Sequence, residues 1–236
     1  MARAKKTRKK KRLHLAQFVL RWALRAGAGA AVLILAVVAL YALFNPPTTP
    51  YIISEGRRLG GVDREWVALE DIAPAMGHAA VAAEDANFCL HWGFDMGAIR
   101  AALAQGGNRG ASTISQQVVK NVYLWQGRSW LRKALEAGIT PAVELVWSKR
   151  RILEVYLNVA EFDEGVFGVG AAARHYFGVE ASALTDMQAA RLAAILPNPK
   201  GRSASAPTAA VTRRANAIRD GAATIRADGR AACFES

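Results

Sequence analysis

Cysteine is scarce in this chain of 236 residues, which contains only Cys89 and Cys233. Two cysteines exclude a scaffold in which several disulfides replace a hydrophobic core. A single bridge would suit an oxidising compartment, but the sequence does not show how far apart the two residues lie. We therefore expect two unpaired thiols. Histidine is scarce as well, and the four histidines show no spacing typical of a metal site.

Acidic residues are absent from the N-terminal part of the chain, since none occurs before Glu55. Ten of the 31 Lys and Arg residues lie within residues 1–25, so the other 21 nearly balance the 19 Asp and Glu residues. The net charge of +12 is thus concentrated in the N-terminal tail. Attraction of this tail to anionic lipid explains the pattern more simply than a nucleic-acid-binding domain, so we expect no nucleic-acid partner.

Charged residues are also missing from Ala26–Phe44, which is almost entirely apolar. A helix that spans a membrane needs about 20 such residues. We predict a basic cytoplasmic tail at residues 1–25 and a transmembrane anchor at residues 26–45, with the remainder outside, since positive charge stays on the cytoplasmic side. A cleaved signal peptide is the alternative, although its apolar core usually has only about 7–15 residues.

The rest of the chain shows no internal repeat and predicts one mainly α domain at residues 51–236, since it is rich in alanine. Helices are predicted to begin near Pro74, Asp95, Ser112 or Thr113, Trp130, Ser148, Gly168, Thr185 and Pro207. Tyr51–Leu59 and Glu65–Leu69 are predicted to be extended, and residues 106–110 to form a flexible loop. Pro141 predicts a kink or break in the helix Trp130–Trp147.

Two polar stretches stand out at helix ends. Glu84 and Asp85 follow an apolar helix, and adjacent carboxylates are costly to bury without partners, so they are either solvated or functional. The stretch from Gly110 to Asn121 places hydroxyls, amides and Lys120 near a helix N-terminus. Free N–H groups and the positive end of the helix dipole favour phosphate there, with a polar surface helix as the alternative.

Two further stretches carry clustered charge. Arg132 and Glu136 are four residues apart and share a helix face, which indicates either a surface ion pair or a carboxylate among cations that bind a diphosphate. The stretch from Lys149 to Asn158 indicates a structural helix with a basic first turn.

Together the four stretches resemble the motifs of the family-51 peptidoglycan glycosyltransferases, in their monofunctional, membrane-anchored form, from about Trp66 to Pro199. The first motif matches at Glu84, Asp85, Phe88, His91 and Gly93. The second matches at Gly110, Ser112, Thr113, Ile114, Gln116, Gln117, Lys120 and Asn121. The third matches at Arg132, Lys133 and Glu136, and the fourth at Lys149, Ile152, Glu154, Tyr156, Leu157 and Asn158.

This resemblance implies a lysozyme-like helical lobe beside a smaller membrane-proximal lobe, preceded by one transmembrane helix. It implies lipid II as substrate, with the growing glycan on undecaprenyl diphosphate as donor and the 4-hydroxyl of lipid II as acceptor. The anomeric centre would invert. Glu84 would be the general base, and Glu136 would lie near the donor diphosphate, where it orients cations or a bound metal.

The resemblance also assigns residues to the substrate. Cations would bind the diphosphate, polar side chains would position the donor, and a second carboxylate would support the base. The cations are Lys120, Arg132 and Lys133, the polar side chains are Ser112, Gln116 and Gln117, and the second carboxylate is Asp85. The resemblance assigns no definite cofactor, and a divalent cation at the diphosphate stays open. Apolar side chains are expected to enter the membrane interface, namely Val122, Tyr123, Leu124, Trp125 and Trp130.

Other functions are weighed by what the sequence contains. A hydrolytic or lytic muramidase-like enzyme would need no cationic diphosphate site, and a non-enzymatic scaffold would be expected to lack Glu84 or Glu136. The absence of Asp-x-Asp argues against nucleotide-sugar transfer, and the absence of Ser-x-x-Lys with a later Lys-Thr-Gly argues against a penicillin-binding transpeptidase. Besides lipid II, the growing glycan and the inner membrane, cell-wall synthesis or division proteins stay open as partners.

Overall fold

The structure is a computed structural model that describes residues 2–106 and 110–235, with side chains from residue 17 onward. The chain divides into two compact units, and the first ends at Phe44 and the second begins at Asn45. The second unit consists mostly of helices joined by short connections. The predicted mainly α fold is therefore confirmed.

The N-terminal unit is one long helix, α1, which runs from Ala2 to Leu43. Its segment Gln17–Leu43 is long and apolar enough to cross a membrane by length and composition. The side chains of this segment are almost all exposed rather than buried in the protein. Residues 26–43 of the predicted anchor lie within this helix, which ends just before Pro46 and Pro47, where proline excludes further helical hydrogen bonds.

The second unit contains ten α-helices and three short strands among its described residues. Its helices are α2 (Pro50–Leu59), α3 (Pro74–Glu84), α4 (Met96–Ala104), α5 (Ile114–Tyr123), α6 (Trp130–Val146), α7 (Lys149–Val159), α8 (Val169–Phe177), α9 (Asp186–Ile195), α10 (Ala209–Ala227) and α11 (Ala232–Glu235). Most of them begin at a polar residue whose side-chain oxygen accepts from a backbone N–H in the first turn, which satisfies a donor that the helix leaves free. These caps are Thr49, Asp95, Thr113, Ser129, Ser148, Thr185 and Thr208.

The strands β1 (Asp63–Arg64), β2 (Glu161–Asp163) and β3 (Val166–Phe167) form a small sheet in the order β1-β3-β2. β1 pairs parallel with β3, and β2 pairs antiparallel with β3. Neither predicted extended segment coincides with a strand of this sheet.

The expectation that Tyr51–Leu59 is extended was wrong, because this segment is α2. Its apolar, partly β-branched start favours a strand locally, but the helix is set by its ends. Thr49 accepts from the N–H of Ile52, Pro50 occupies the first turn, and Gly60 ends the helix at φ 79°.

The helix α6 continues through Pro141, so the predicted break is not present. The hydroxyl of Thr140 donates to the carbonyl of Glu136, and Thr140 and Val143 are fully buried. Packing of this face offsets the cost of about 3 kcal/mol that a proline imposes inside a helix. The other predicted helices begin within a few residues of their expected positions. The predicted loop at 106–110 lies mostly outside the described residues.

Two groups of helices form the core. α3, α9 and α10 pack on one another, and α5 packs on α6 and α7. Small side chains allow the first group to approach closely, since Ala80, Ala190 and Ala193 are fully buried. The C-terminal end of α3 and the N-terminal end of α5 meet between these groups.

The expectation of two free thiols was wrong, because Cys89 and Cys233 form a disulfide across 144 residues. The sequence could not show this, since their Cα atoms reach 5.6 Å only through folding. α11 returns to the short turn Phe88–Leu90, where the ring of Phe234 lies 6.4 Å from that of Phe88. His78 Nε2 also contacts the carboxylate of Glu235 at 2.6 Å.

Candidate active site

Glu84 is the last residue of α3 and points to α5. Its Oε2 accepts a hydrogen bond from Gln117 Nε2 at 3.0 Å, and its Oε1 is buried without a hydrogen-bond partner among the described residues. Burial raises the pKa of Glu84, whereas the hydrogen bond from Gln117 and the charges of Arg214 and Lys120 lower it. The site therefore contains a poorly solvated carboxylate, with Arg214 Nη2 3.7 Å from its Oε1.

Asp85 lies next to Glu84 but is directed into the protein. Its Oδ1 contacts His91 Nε2 at 2.8 Å, and its Oδ2 accepts from the backbone N–H of Ile114 at 3.0 Å. This carboxylate joins the end of α3, the following turn and the first residue of α5. Both oxygens are engaged inside the protein, so Asp85 is placed to position Glu84 rather than to react.

The start of α5 is fixed by a reciprocal cap. Thr113 Oγ1 accepts from the N–H of Gln116, and the Gln116 side chain accepts from the N–H of Thr113 at 3.1 Å. Thr113 also donates to the carbonyl of Gly93 at 2.7 Å. Gln116 is thus buried in the cap, whereas Gln117 is the amide that reaches Glu84.

Gly93, whose carbonyl accepts from Thr113, stands where there is no room for a side chain. Its φ is +83°, and a Cβ there would lie 2.7 Å from the side chain of Thr140 and 3.1 Å from that of Glu144. The loop after Glu84 therefore packs directly on α6, the helix that carries the third motif.

Glu136 forms ion pairs with two cations of the same helix, α6. Its Oε2 lies 2.7 Å from Arg132 Nη1, and its Oε1 lies 2.5 Å from Lys133 Nζ. Lys133 also donates to Ser112 Oγ at 3.2 Å, and Arg132 Nε donates to the carbonyl of Gly127 at 2.9 Å. The carboxylate is only 3% exposed, so it orients the cations and leaves their remaining donors for another ligand.

Lys120 on α5 interacts through its charge with both Glu84 and Glu136. Burial lowers the pKa of Lys120, and the charges of Glu136 and Glu84 raise it, while Arg132 and Lys133 act with burial. The ammonium therefore belongs to the same electrostatic cluster as the third motif. An anion bound among these three cations would meet a region of concentrated positive charge that is partly shielded from water.

Two cavities adjoin this cluster. One of about 260 Å³ is lined by Glu84, Ser112 and neighbouring residues. Another of about 300 Å³ is lined by Gln117, Lys120 and a group of side chains from several elements. That group includes Tyr51, Asn121, Gln126, Tyr156, Asn198 and Lys200. The hydrogen bond between Glu84 and Gln117 joins the walls of the two cavities.

The fourth motif lies largely inside the fold. Lys149 Nζ lies 2.8 Å from Glu144 Oε1 and 4.5 Å from the centre of the Phe88 ring. Glu144 Oε1 also accepts a hydrogen bond from Ser115. Asn158 exchanges two hydrogen bonds of 2.8 Å with the backbone of Val67. These residues hold the site's walls in place.

Sequence motifs missed the residues that approach the site from other parts of the chain. Tyr51, Lys200 and Arg214 stand outside the four motifs, and nothing in their local sequence distinguishes them. They reach the site only through the packing of α2, α10 and the segment after α9.

Metal ligation has no obvious place in the part of the chain that the structure describes. No group of three or more His, Cys, Asp or Glu side chains there could share a metal ion. Both oxygens of Glu136 already contact protein cations.

The exposed apolar side chains match the expected ones only in part, since Trp125 and Trp130 are exposed but two others of the set are not. Val122 and Leu124 are buried, with Leu124 only 4% exposed, so the expectation that they enter a membrane interface was wrong. Trp130 at the start of α6 is 92% exposed, and Trp125 and Leu131 are exposed as well. The physical reason is that α5 turns its apolar side inward against α6 and α7, as the burial of Val118 and Val119 also shows.

The sequence of this chain is similar to those of known proteins. A family described as "Transglycosylase" matches residues 53–223. A "Biosynthetic peptidoglycan transglycosylase" of Jannaschia sp. (strain CCS1) is 61% identical over 220 residues, which cover 93% of this chain and 92% of that protein. Proteins of the same description from Pseudomonas fluorescens (strain SBW25) and Rhodospirillum centenum (strain ATCC 51521 / SW) are 50% and 47% identical, over 82% and 88% of this chain and 85% and 92% of their own lengths. With most of its length matched in this way, the chain belongs to the transglycosylase family.

Proposed function

We propose that this protein polymerises lipid II into peptidoglycan strands, with the undecaprenyl-diphosphate-linked chain as donor and the 4-hydroxyl of incoming lipid II as acceptor. The observation that carries the proposal is the pairing of a poorly solvated carboxylate, Glu84, with a cluster of three cations around Glu136. An unreactive hydroxyl needs a base, and a diphosphate leaving group needs positive charge. The candidate site offers both, with Glu84 on the wall of one cavity and Lys120 on the wall of the other, and the hydrogen bond between Glu84 and Gln117 connects the two.

Glu84 is the base in this mechanism. A sugar hydroxyl is a weak nucleophile until its proton is removed, and a carboxylate whose pKa is raised by burial accepts a proton more readily. As the acceptor O4 attacks the donor's anomeric carbon, the O4 proton passes to Glu84. The bond from that carbon to the diphosphate oxygen breaks on the opposite face, so the configuration inverts.

The pair of electrons from the broken bond stays on the leaving diphosphate oxygen, and the cations stabilise the negative charge that this creates. Arg132 and Lys133 are held by Glu136, and Lys120 extends the positive charge toward Glu84. Charge that develops on the leaving oxygen is stabilised most when donors are already oriented. Ser112 accepts a hydrogen bond from Lys133 and so lies next to these cations.

Replacing Arg132 with Gln should lower kcat/KM for lipid II by about 10–100-fold, because a hydrogen bond to a charged group contributes about 1.5–3 kcal/mol. Initial polymerisation rates against lipid II concentration would measure this. Arg128 is exposed and carries the same charge, so Arg128→Gln is the matched control. An equal loss in both variants would mean that general attraction, rather than a built diphosphate site, explains the effect.

The hypothesis of polymerisation is tested by incubating the purified protein with labelled lipid II in detergent. Glycan chains that lengthen with time, and that a muramidase cuts into disaccharide units, are the expected product. Folded protein that makes no polymer but releases muropeptides from finished wall would overturn the proposal in favour of a hydrolytic or lytic enzyme.

We also propose that the helix α1 anchors the protein in the inner membrane, with residues 1–25 in the cytoplasm and the second unit outside. The uncharged span within Gln17–Leu43 and the basic residues that precede it support this orientation. The bridge between Cys89 and Cys233 supports it as well, because disulfides persist mainly outside the cytoplasm. Anchoring would keep the site close to substrates that carry lipid tails.

The exposed side chains of Trp130 and Leu131 would add a second contact with the membrane. Replacing both with Ser in residues 45–236 should weaken liposome binding by about 10²–10⁴-fold, since each of the two buried side chains contributes about 1.5–3 kcal/mol. Co-sedimentation with zwitterionic liposomes measures the change. Leu124→Ser is the contrast: this residue is buried, so the variant should lose thermal stability and keep its affinity for liposomes. Unchanged binding of the double variant would contradict this contact.

A further inference from the structure

Arg214, on α10, reaches the site from a helix that carries none of the four motifs. α10 packs closely on α3, and a Cβ at Gly221 would lie 3.5 Å from the Cβ of Ala82. This contact brings Arg214 Nη2 to 3.7 Å from Glu84 Oε1 and to 3.4 Å from the carbonyl of Ala83. The guanidinium therefore stands at the end of α3, beside the carboxylate that acts as base.

Unused hydrogen-bonding capacity lies on both sides of this contact. Glu84 Oε1 is buried and has no hydrogen-bond partner among the described residues, and the same holds for Arg214 Nε. Such buried groups are uncommon and costly, so each calls for an explanation. At 3.7 Å the Glu84–Arg214 pair is slightly longer than a hydrogen bond, and a small movement of either side chain would close it.

We propose that Arg214 is a positioning residue for the transfer reaction, which holds Glu84 ionised and aligned for the incoming acceptor hydroxyl. The inference rests on the proposed function. It assigns to α10 a part in the reaction that the motif residues do not supply. The three cations around Glu136 are placed for the diphosphate, whereas Arg214 contacts the base itself.

The protonation of Glu84 depends on groups from each helix around it. Asp85 follows it in the chain, Lys120 faces it from α5, Tyr156 from α7 and Arg214 from α10. Burial and the negative charge of Asp85 raise the pKa of Glu84, whereas Arg214 and Lys120 lower it. Tyr156 stays neutral, because burial raises its own pKa well above the usual range. Loss of Arg214 would therefore raise the pKa of Glu84, and the base would be protonated over a wider range of acidic pH.

The test compares Arg214→Met with wild type and with Arg213→Met, in the full-length protein in detergent. Arg213 is the preceding residue, is exposed and carries the same charge, so it controls for net charge and for helix propensity. The polymerisation rate at saturating lipid II is measured from about pH 5 to pH 9, and thermal unfolding is measured for each variant.

In Arg214→Met the acidic limb of the pH profile should move to higher pH by about one unit, which is about a tenfold loss of rate on that limb. The rate should return toward the wild-type value as the pH rises, and Arg214→Lys should restore the limb in part. Arg213→Met should keep the wild-type profile. An equal loss at every pH, or no loss at all, would overturn the role of Arg214. Failure of the wild type to polymerise would instead overturn the proposed function.

Discussion

Replacing Glu84 with Gln is expected to lower the rate of lipid II polymerisation by about 10²–10⁴-fold, the usual contribution of a general base. Gln has nearly the same shape as Glu, and its amide oxygen can still accept from Gln117, so the hydrogen bond seen at 3.0 Å can form in the variant. What is lost is a group that can take a proton. Because the side chain is 14% exposed, bulk water has little access to replace it.

The measurement is the rate of glycan formation from labelled lipid II across the pH range. In the wild type the rate should fall on acidification as Glu84 is protonated, and burial should place this fall above the pH typical of an exposed glutamate. The variant should have lost that pH dependence along with most of its rate. Glu180→Gln, at an exposed position far along the chain, is the matched control. A Glu84→Gln variant that retains a rate within tenfold of wild type would remove Glu84 as the base.

Replacing Cys89 and Cys233 with Ser is expected to cause the largest loss of stability, about 4–5 kcal/mol if the closed loop of 144 residues restricts the unfolded chain as loop-closure entropy predicts. Typical domains are stable by only about 5–15 kcal/mol, so the variant should approach the limit of folding. The packing of Phe234 against Phe88 and the contact between His78 and Glu235 would persist only while α11 stays in place.

Thermal and urea unfolding in detergent, with and without a reducing agent, would measure this effect. The reduced wild type should unfold like the double Ser variant, and the reducing agent should not change the variant. If the wild type and the variant unfold at the same point under oxidising conditions, the bridge does not stabilise the domain.

Much of the helical structure could be predicted because its signals are local. Asp95, Thr113 and Thr185 each accept from a backbone N–H within three residues, so the chain itself marks where α4, α5 and α9 begin. α2 was missed because its apolar start favours a strand, and the deciding signals at Thr49 and Gly60 lie outside the segment. The disulfide was missed because it depends on distance in space.

The site was predictable in part for the same reason. The motifs named Glu84 and Lys120 and the residues of α6, but they could not tell which side of a helix each polar side chain faces. Gln116 is part of the cap of α5, while its neighbour Gln117 lines a cavity and donates to Glu84. Only the fold shows this difference between the two amides. Arg214 enters through the packing of α10 on α3, for which the sequence has no local sign.

The bridge between Cys89 and Cys233 also has a topological consequence. It closes the chain into a covalent ring that contains all of α4 to α10, whereas Glu84 lies just outside it, five residues before the first cysteine. Tension applied between α1 and the C-terminus would pass through the bridge and bypass the ring. The cation cluster on α5 and α6 would therefore carry no load, while α3 and Glu84 would lie in the stretch of chain that bears it.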